Sequence, residues 1–562
     1  MQNSPTETSP LLGQDAPVPV DQGAGVAANG SEEISAAIRE DGDAIERQEA
    51  HEGRQKQFEG MPEVRKKMKY IMPALGIGVF MAACDQTLIV TSYGKIGSEL
   101  NALNQTSWIA TAYFLTLTSF QPLYGKLSDI FSRKGCLLFS YTVFGLGCLW
   151  CGLAPDMTNL IIARAFAGVG GGGMSTVTSI FLSDTVALRE RGKWQGYVNI
   201  IYAFGAAAGP PLGGFLVDSI GWRWAFLVQV PLCFIAFLAV FFAINISRKE
   251  DSHWKEKLRR IDFLGAVILL AAISMLLLGL DRGSNVSWAA TLTIVCLAVS
   301  IPLIAAFLFV EVKIASEPFA PGRIIFERSL FACYLCNGFS YCGWMGTVFY
   351  VPLKFQAVNG YSPTQAGTAI IPSVLAAVFG SLFGGFYMHR SGKYYWITVI
   401  CYALLVLGAT IVFLFSGLLI DSIPGIIVGM VVAGFGIGIG VTTTLIGLIA
   451  NASPEDQAIA TACSYLFRSL GSTMGVSLSA TVANQVLRTQ LADALSSGED
   501  AAEIAERVRE SLSYIRDLEP AVREIVQQCY ARSVRAAFGL QIGLGAGAFV
   551  SAWFIREKKL SN

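Results

Sequence analysis

The sequence predicts an all-α polytopic membrane protein of fourteen transmembrane helices, two six-helix halves joined by an insert of two (6+2+6). Three observations carry that prediction. The apolar residues, 53% of 562, are gathered in blocks of about 18 to 30 with almost no Asp, Glu, Lys or Arg, the length at which a helix crosses a bilayer. Charged residues make up 15% of the chain and mean hydropathy is +0.52, against about 25% charged in an average soluble domain. A set of glycine-rich motifs recurs once, in order, at a nearly constant offset. These features exclude a soluble enzyme and a disulfide-rich secreted protein. They disfavour a β-barrel, whose strands alternate with period two over about ten residues.

Taken in order, residues 1–69 hold thirteen acids and eight bases with no sustained apolar period, and a disordered tail is expected there. The tail lacks the basic start and apolar core of a secretory signal. Spans follow at about 70–91, 106–124, 136–154, 158–182, 195–217 and 222–246, the N-terminal half (70–247). A linker, 248–328, holds spans near 262–280 and 289–310. The C-terminal half (329–555) has spans near 329–353, 364–387, 395–416, 422–447, 458–486 and 534–555, and residues 556–562 form a second short tail. The loop 487–533 is too polar to span. Its stripe Ile504, Val508, Leu512, Ile515 predicts amphipathic helix packed as a cap.

Charge orients the spans. Lys and Arg concentrate in one set of flanks and turns, from Arg65, Lys66, Lys67 and Lys69 through Arg133 and Lys134 to Arg390, Lys393, Arg556 and Lys558, whereas Lys95, Arg223 and Arg282 fall on the other side. Positive loops face the cytosol, so both termini are expected there. The net charge of zero says nothing about partners, and no basic patch interleaved with aromatics points to nucleic acid. Eleven of twelve cysteines lie in or beside apolar blocks, including Cys333 and Cys336, and read as buried small hydrophobes rather than metal or redox ligands. No phosphate-binding loop is present, and no cofactor is expected.

The repeat pairs the halves. Gly125-x-x-x-Asp129-x-x-Ser132-Arg133-Lys134 closes span two, and Gly385-x-x-x-His389-Arg390-x-Gly392-Lys393 closes span ten. Ala167-Gly168-Val169-Gly170 matches Ala433-Gly434-Phe435-Gly436, and Gly205-x-x-x-Gly209 matches Gly471-x-x-x-Gly475, both 266 residues later. Parallel repeats of this kind are transporter architecture, with the substrate site near the midplane between halves.

These residues resemble the major facilitator superfamily, in its 14-span drug:proton antiporter branch. Gly125-Lys-Leu-Ser-Asp129-Ile-Phe-Ser-Arg133-Lys134 resembles the loop 2–3 signature, departing at Ile130 (usually Arg) and Ser132 (usually Gly). Arg164-Ala-Phe-Ala-Gly168 resembles the span-four signature. Gly205-Ala-Ala-Ala-Gly209-Pro210-Pro-Leu-Gly213-Gly214 resembles the span-five antiporter signature. The stretches DQTLIVTSYGKIGSEL (85–100) and WIATAYFLTLTSFQPLYGK (108–126) are most similar to fungal vacuolar basic amino acid transporters. The resemblance implies a proton-coupled antiporter loading lysine, arginine or histidine into the vacuole. A plasma-membrane drug or toxin exporter shares every signature, and a non-transporting nutrient sensor is a third reading. In the tail, Glu7-Thr-Ser-Pro-Leu11-Leu12 is an acidic dileucine pattern of the kind sorting adaptors read. A monomer is expected.

Ionisable residues at bilayer depth are functional candidates by default. Asp85 is the one clearly embedded acid, past the midplane of span one. Proton and cationic substrate are expected to compete for this one carboxylate. Arg164 is expected toward the same side, and the resemblance implicates it in proton coupling. Gly125, Asp129, Arg133 and Lys134 are the expected gating latch. Asn199, Tyr202, Asn337, Tyr341, Tyr465 and Arg468 are candidate cavity-lining residues, each equally able to serve as an interhelical hydrogen-bonding group. Lys354 is expected to snorkel at the interface. Asn104 and Asn285 lie in glycosylation sequons close to spans.

Overall fold

The computed structural model describes residues 62–558 apart from 186–187, 245–262, 315–321, 453–456, 495–503, 505–506, 509 and 511. The dileucine residues Glu7, Leu11 and Leu12 lie outside them. The N-terminal helices are α1 (Pro62–Glu99), α2 (Ser107–Phe131), α3 (Arg133–Leu153), α4 (Met157–Thr185), α5 (Leu188–Ser219) and α6, in two pieces, Trp222–Leu227 and Gln229–Ala243. α7 (Phe263–Asn285) and α8 (Thr291–Phe309) follow, where the two-helix insert is expected. The C-terminal helices are α9 (Arg328–Ala357), α10 (Pro363–Thr368 and Ile371–Ser391), α11 (Tyr395–Phe415), α12 (Ile423–Asn451), α13 (Gln457–Ala494) and α14 (Pro520–Ala552). Every predicted span overlaps one of these helices.

By length and composition, eleven helices among the described residues can cross a membrane. The predicted spans not among the eleven are α2, α9 and α13, whose hydropathy is lowered by hydroxyl, amide and tyrosine side chains. Those three carry much of the polar interface between the halves, where such groups are tolerated because they face protein or water rather than lipid.

Hydrogen bonds sort the loops into two ends. At the near end, where α1 begins, Lys134 Nζ donates to Phe241 O at 2.6 Å, and Tyr394, Asn451, Ser329 and Arg556 are joined. At the far end, Asn104 O accepts from Asn285 Nδ2 and Asn484 Nδ2 at 3.5 and 3.3 Å, tying together the N-terminal half, the insert and the C-terminal half. Trp288 Nε1 adds a bond to Gln485 Oε1 at 3.0 Å. Beside α4, exposed Asp156 accepts the Asn159 N–H at 2.8 Å, and that bond holds its carboxyl below the usual range.

The loop expected at 487–533 is largely helical. α13 continues to Ala494, α14 starts at Pro520, and a short helix, Leu512–Asp517, lies between them. Val508 and Ile515 of the predicted stripe are buried with Leu487, Leu491, Val526, Cys529 and Tyr530, and Ile504 and Leu512 pack against that cluster, as a cap requires. The cap reaches the other half: the Leu512 N–H donates to Ser98 Oγ at 2.8 Å.

All twelve cysteines are buried, Cys529 among them. Among the described residues no cluster of His, Cys, Asp and Glu has metal-binding form.

Candidate functional site: a buried ion pair and a central tyrosine–arginine cluster

Asp85 and Arg164 meet inside the N-terminal half. Arg164 Nη1 donates to both carboxylate oxygens of Asp85, at 2.7 and 3.0 Å. Arg164 Nε donates to Ile109 O at 3.1 Å, and its guanidinium lies over the Tyr113 ring, 4.3 Å from the centroid. Gln229 Nε2 donates to Asp85 Oδ1 at 3.0 Å. Asp85 is 0% exposed, Arg164 1% and Gln229 5%. One carboxylate therefore ties α1 to α4 and α6, and its arginine reaches α2. A buried pair of this kind survives because each charge is matched and further bonds satisfy the remaining donors and acceptors. Arg164 and Gln229 close Asp85 off, so in this arrangement its carboxylate is not exposed between the halves. Sequence reasoning missed Gln229. The signal was an amide within an otherwise apolar run.

The neighbouring side chain faces the other way. Tyr202 OH donates to Gln86 Oε1 at 3.0 Å. Across the interface, Arg468 Nη2 donates to the Tyr341 hydroxyl, and its guanidinium lies 4.5 Å from the Tyr341 ring centroid and 5.2 Å from that of Tyr465. Tyr202 is within electrostatic reach of all three. Four predicted lining residues thus converge, from α5, α9 and α13. Ser469 Oγ extends the cluster to Gln121 Oε1 of α2 at 3.3 Å. Asn337 does not join it. Its amide is buried, donating to Ser464 Oγ at 3.1 Å and accepting from Thr444 Oγ1 at 3.2 Å, so it cross-links α9, α12 and α13 and is removed from the cavity set. The side chain of Asn199 lies outside the described residues.

The span-five glycines are a contact surface. A Cβ on Gly205 would sit 2.5 Å from Phe80 O and one on Gly209 2.7 Å from Cys84 O, while one on Gly213 would overlap Leu88 O. Glycines four residues apart on α5 therefore face carbonyls four apart on α1. Pro210 O accepts from Thr91 Oγ1 at 2.9 Å, and Gly214 abuts Pro363 and Thr364 of the other half. The repeat holds in space as well. Gly168 abuts α2 and Gly170 α3, as Gly434 abuts α10 and Gly436 α11; Gly471 and Gly475 meet α9 as Gly205 and Gly209 meet α1.

The family model for the Major Facilitator Superfamily matches residues 75–476. The chain belongs to that superfamily. It is 36% identical over 505 residues to the vacuolar membrane amino acid uptake transporter fnx2 of Schizosaccharomyces pombe, covering 87% of this chain and 84% of that one. It is also 36% identical over 507 residues to the multidrug resistance protein fnx1 of the same yeast, covering 88% and 94%. Among solved structures, a bacterial homologue of the human lysosomal transporter Spinster superposes with a TM-score of 0.58 at 14% identity, covering 87% of this chain and 98% of that one, which shows the fold. The chain is a transporter, not an enzyme.

Within this superfamily fold, the expected latch sits at the near end. Arg133 Nη1 donates to Ser128 Oγ at 2.6 Å and Lys134 Nζ to Phe241 O, so these bonds stay within the N-terminal half. The Asp129 side chain lies outside the described residues. Gly125 has room: an added Cβ would meet only Ile180 Cδ1, at 3.9 Å. Ser132 stands at φ 77°, ψ 150°, a conformation suited to glycine, and caps α3 by accepting the Gly135 N–H. At the matching turn of the repeat Gly392 stands at φ 65°. Lys354 corrects another expectation. It is 0% exposed and pairs with Asp421 at 2.5 Å, so it does not snorkel.

Among the described residues, several bonds crossing between the halves lie toward the far end. Tyr93 OH donates to Phe349 O, and Gln356 Nε2 to Thr91 O at 3.3 Å. Thr111 and Ser477 share a bond at 2.9 Å, and the Thr364 N–H donates to Asp218 at 3.0 Å. With Asn104–Asn484 and Ser98–Leu512, they draw the halves together there.

Proposed function

We propose that this transporter is a proton-coupled antiporter that moves basic amino acids from the cytosol into the vacuole. The observation that carries the reading is the sealed Asp85–Arg164 pair. Protonating Asp85 would free Arg164 from its only ion-pair partner among the described residues, shift α1 against α4 and α6, and move Gln86, the next residue, in the central cluster. Coupling by that route is indirect: the proton resides within one half and the substrate binds between halves. Fourteen spans with the near end and both termini in the cytosol, and a 6+2+6 division at residues 70–247, 248–328 and 329–555, fit the basic turns at the near end. The vacuolar setting is supported by similarity to fnx2 and by the dileucine pattern, and the basic substrate by the likeness of residues 85–126 to vacuolar basic amino acid transporters.

The equal similarity to fnx1 favours a second reading, a multidrug exporter of the plasma membrane. ATP-energised uptake of labelled lysine, arginine and histidine into vacuolar vesicles, with and without a protonophore, separates them. Uptake that the protonophore abolishes is expected, with the tagged protein on the vacuole and displaced from it when Leu11 and Leu12 become alanine. Plasma-membrane residence with drug efflux and no such uptake would establish the second reading. Binding without flux in proteoliposomes would make the protein a sensor.

A further inference from the structure

Two arginines lie deep in the helices, and they are matched differently. Arg164 has a carboxylate. Arg468 has tyrosines. It is the twelfth residue of α13, about 16 Å along the helix from Gln457 at about 1.5 Å per residue. Ion pairs join Asp85 to Arg164, Glu99 to Arg223 and Lys354 to Asp421, and Arg468 enters none of them. Its one side-chain hydrogen bond among those residues goes to the neutral Tyr341 hydroxyl, which leaves four of five N–H donors. The side chain is partly exposed, although it lies within a helix packed between the halves. Tyr202, Tyr341 and Tyr465 supply aromatic surface but no negative charge.

A guanidinium stays charged at any physiological pH and presents its donors as a planar fork that fits a carboxylate through two parallel bonds. Holding that charge uncompensated at this depth is costly, and an anionic ligand group would supply the missing partner. We propose that Arg468 is the carboxylate subsite of the substrate site, so that the ligands transported are α-amino acids and not cations in general. The inference rests on the amino acid transport proposed above and narrows it. A basic substrate would set its carboxylate on Arg468 and extend its cationic side chain toward the Tyr202 ring and the Gln86 amide on the opposite half, spanning the interface. A cation without a carboxylate would meet only the positive charge of Arg468.

The test compares ligands that differ at the carboxylate alone. The full-length chain is reconstituted in proteoliposomes, and unlabelled arginine, argininamide and agmatine compete with labelled arginine. Argininamide and agmatine should compete at least about tenfold more weakly, the scale of a lost charge-assisted hydrogen bond. Arg468→Gln should raise KM for arginine by a similar factor and abolish the preference for arginine over argininamide, and Arg468→Lys should restore part of it. Equal competition by arginine and argininamide in the wild-type protein overturns the proposal while leaving basic amino acid transport standing, and needs no variant to fold. If labelled arginine is not transported, thermal shifts of the purified protein with each amino acid and its amide decide the matter. An amino acid that stabilises more than its amide, in wild type but not in Arg468→Gln, upholds the subsite and discards the basic substrate. No amino acid outperforming its amide overturns the subsite.

Discussion

Asp85 and Arg164 would each be destabilising alone, and together they form a closed unit with Gln229. Removing one charge strands the other in a dry site, so Asp85→Asn should lower stability by about 3–5 kcal/mol, read as a drop in melting temperature in detergent. The double variant Asp85→Asn/Arg164→Gln should recover much of that loss and still lack proton-driven uptake. Wild-type coupling in the double variant would end the role proposed for the pair. The two charges were legible in the sequence as embedded residues on one side of the membrane. Their direct pairing was not, because residues 79 apart come together only when α1, α4 and α6 pack. Lys354 was misjudged for the same reason: an interface lysine looks identical in sequence whether it snorkels or, as here, finds Asp421 in the turn between α11 and α12. Ser132 was legible as a departure from glycine, and its positive φ gives that departure a physical meaning, strain of about 1–3 kcal/mol at the turn after α2.

α5 shows how a motif becomes a surface. Gly205, Gly209 and Gly213 recur every four residues, close to one helical turn, so their bare faces form a groove that receives the α1 backbone at Phe80, Cys84 and Leu88. Gly209→Leu would place a side chain where Cys84 O and Leu88 N already lie, within 2.9 Å of its Cβ. We expect that variant to lose at least about tenfold in uptake rate at equal expression, and a normal rate would show that α1 and α5 need not stay this close. Glycine spacing was readable directly, because helical periodicity converts sequence position into a face. The extents of α13 and α14 were not. Their polar ends looked like loop, yet they continue as helix because Leu487, Leu491, Val526 and Tyr530 bury one side against Val508 and Ile515. Tertiary burial there outweighs a composition unsuited to membrane.

On the scale of the molecule, the apolar blocks and the repeat were enough to predict a helical transporter of two related halves, since both are properties of long segments, and the motifs added the superfamily. The closure of the far end was not predictable, because it depends on isolated polar contacts, among them Asn104 with Asn285 and Asn484, and Ser98 with the cap. Those contacts join α7 to both halves at the far end, so opening it would break bonds to α7 as well as between the halves. The span count is open to a chemical test that the protein's own composition makes clean. Its twelve thiols are all buried, so the native chain should be nearly silent to a membrane-impermeant maleimide. A cysteine placed at exposed Lys393 or Glu557 should then react in intact vesicles with the cytosolic face outward, and one at exposed Gln105 or Thr489 only after permeabilisation. Reaction of all four in intact vesicles would refute the fourteen-span layout. The same silence means that two added thiols, one on each half, can carry a pair of spectroscopic probes, so the distance between the halves can be followed through a transport cycle without first stripping the protein of its native sulfur.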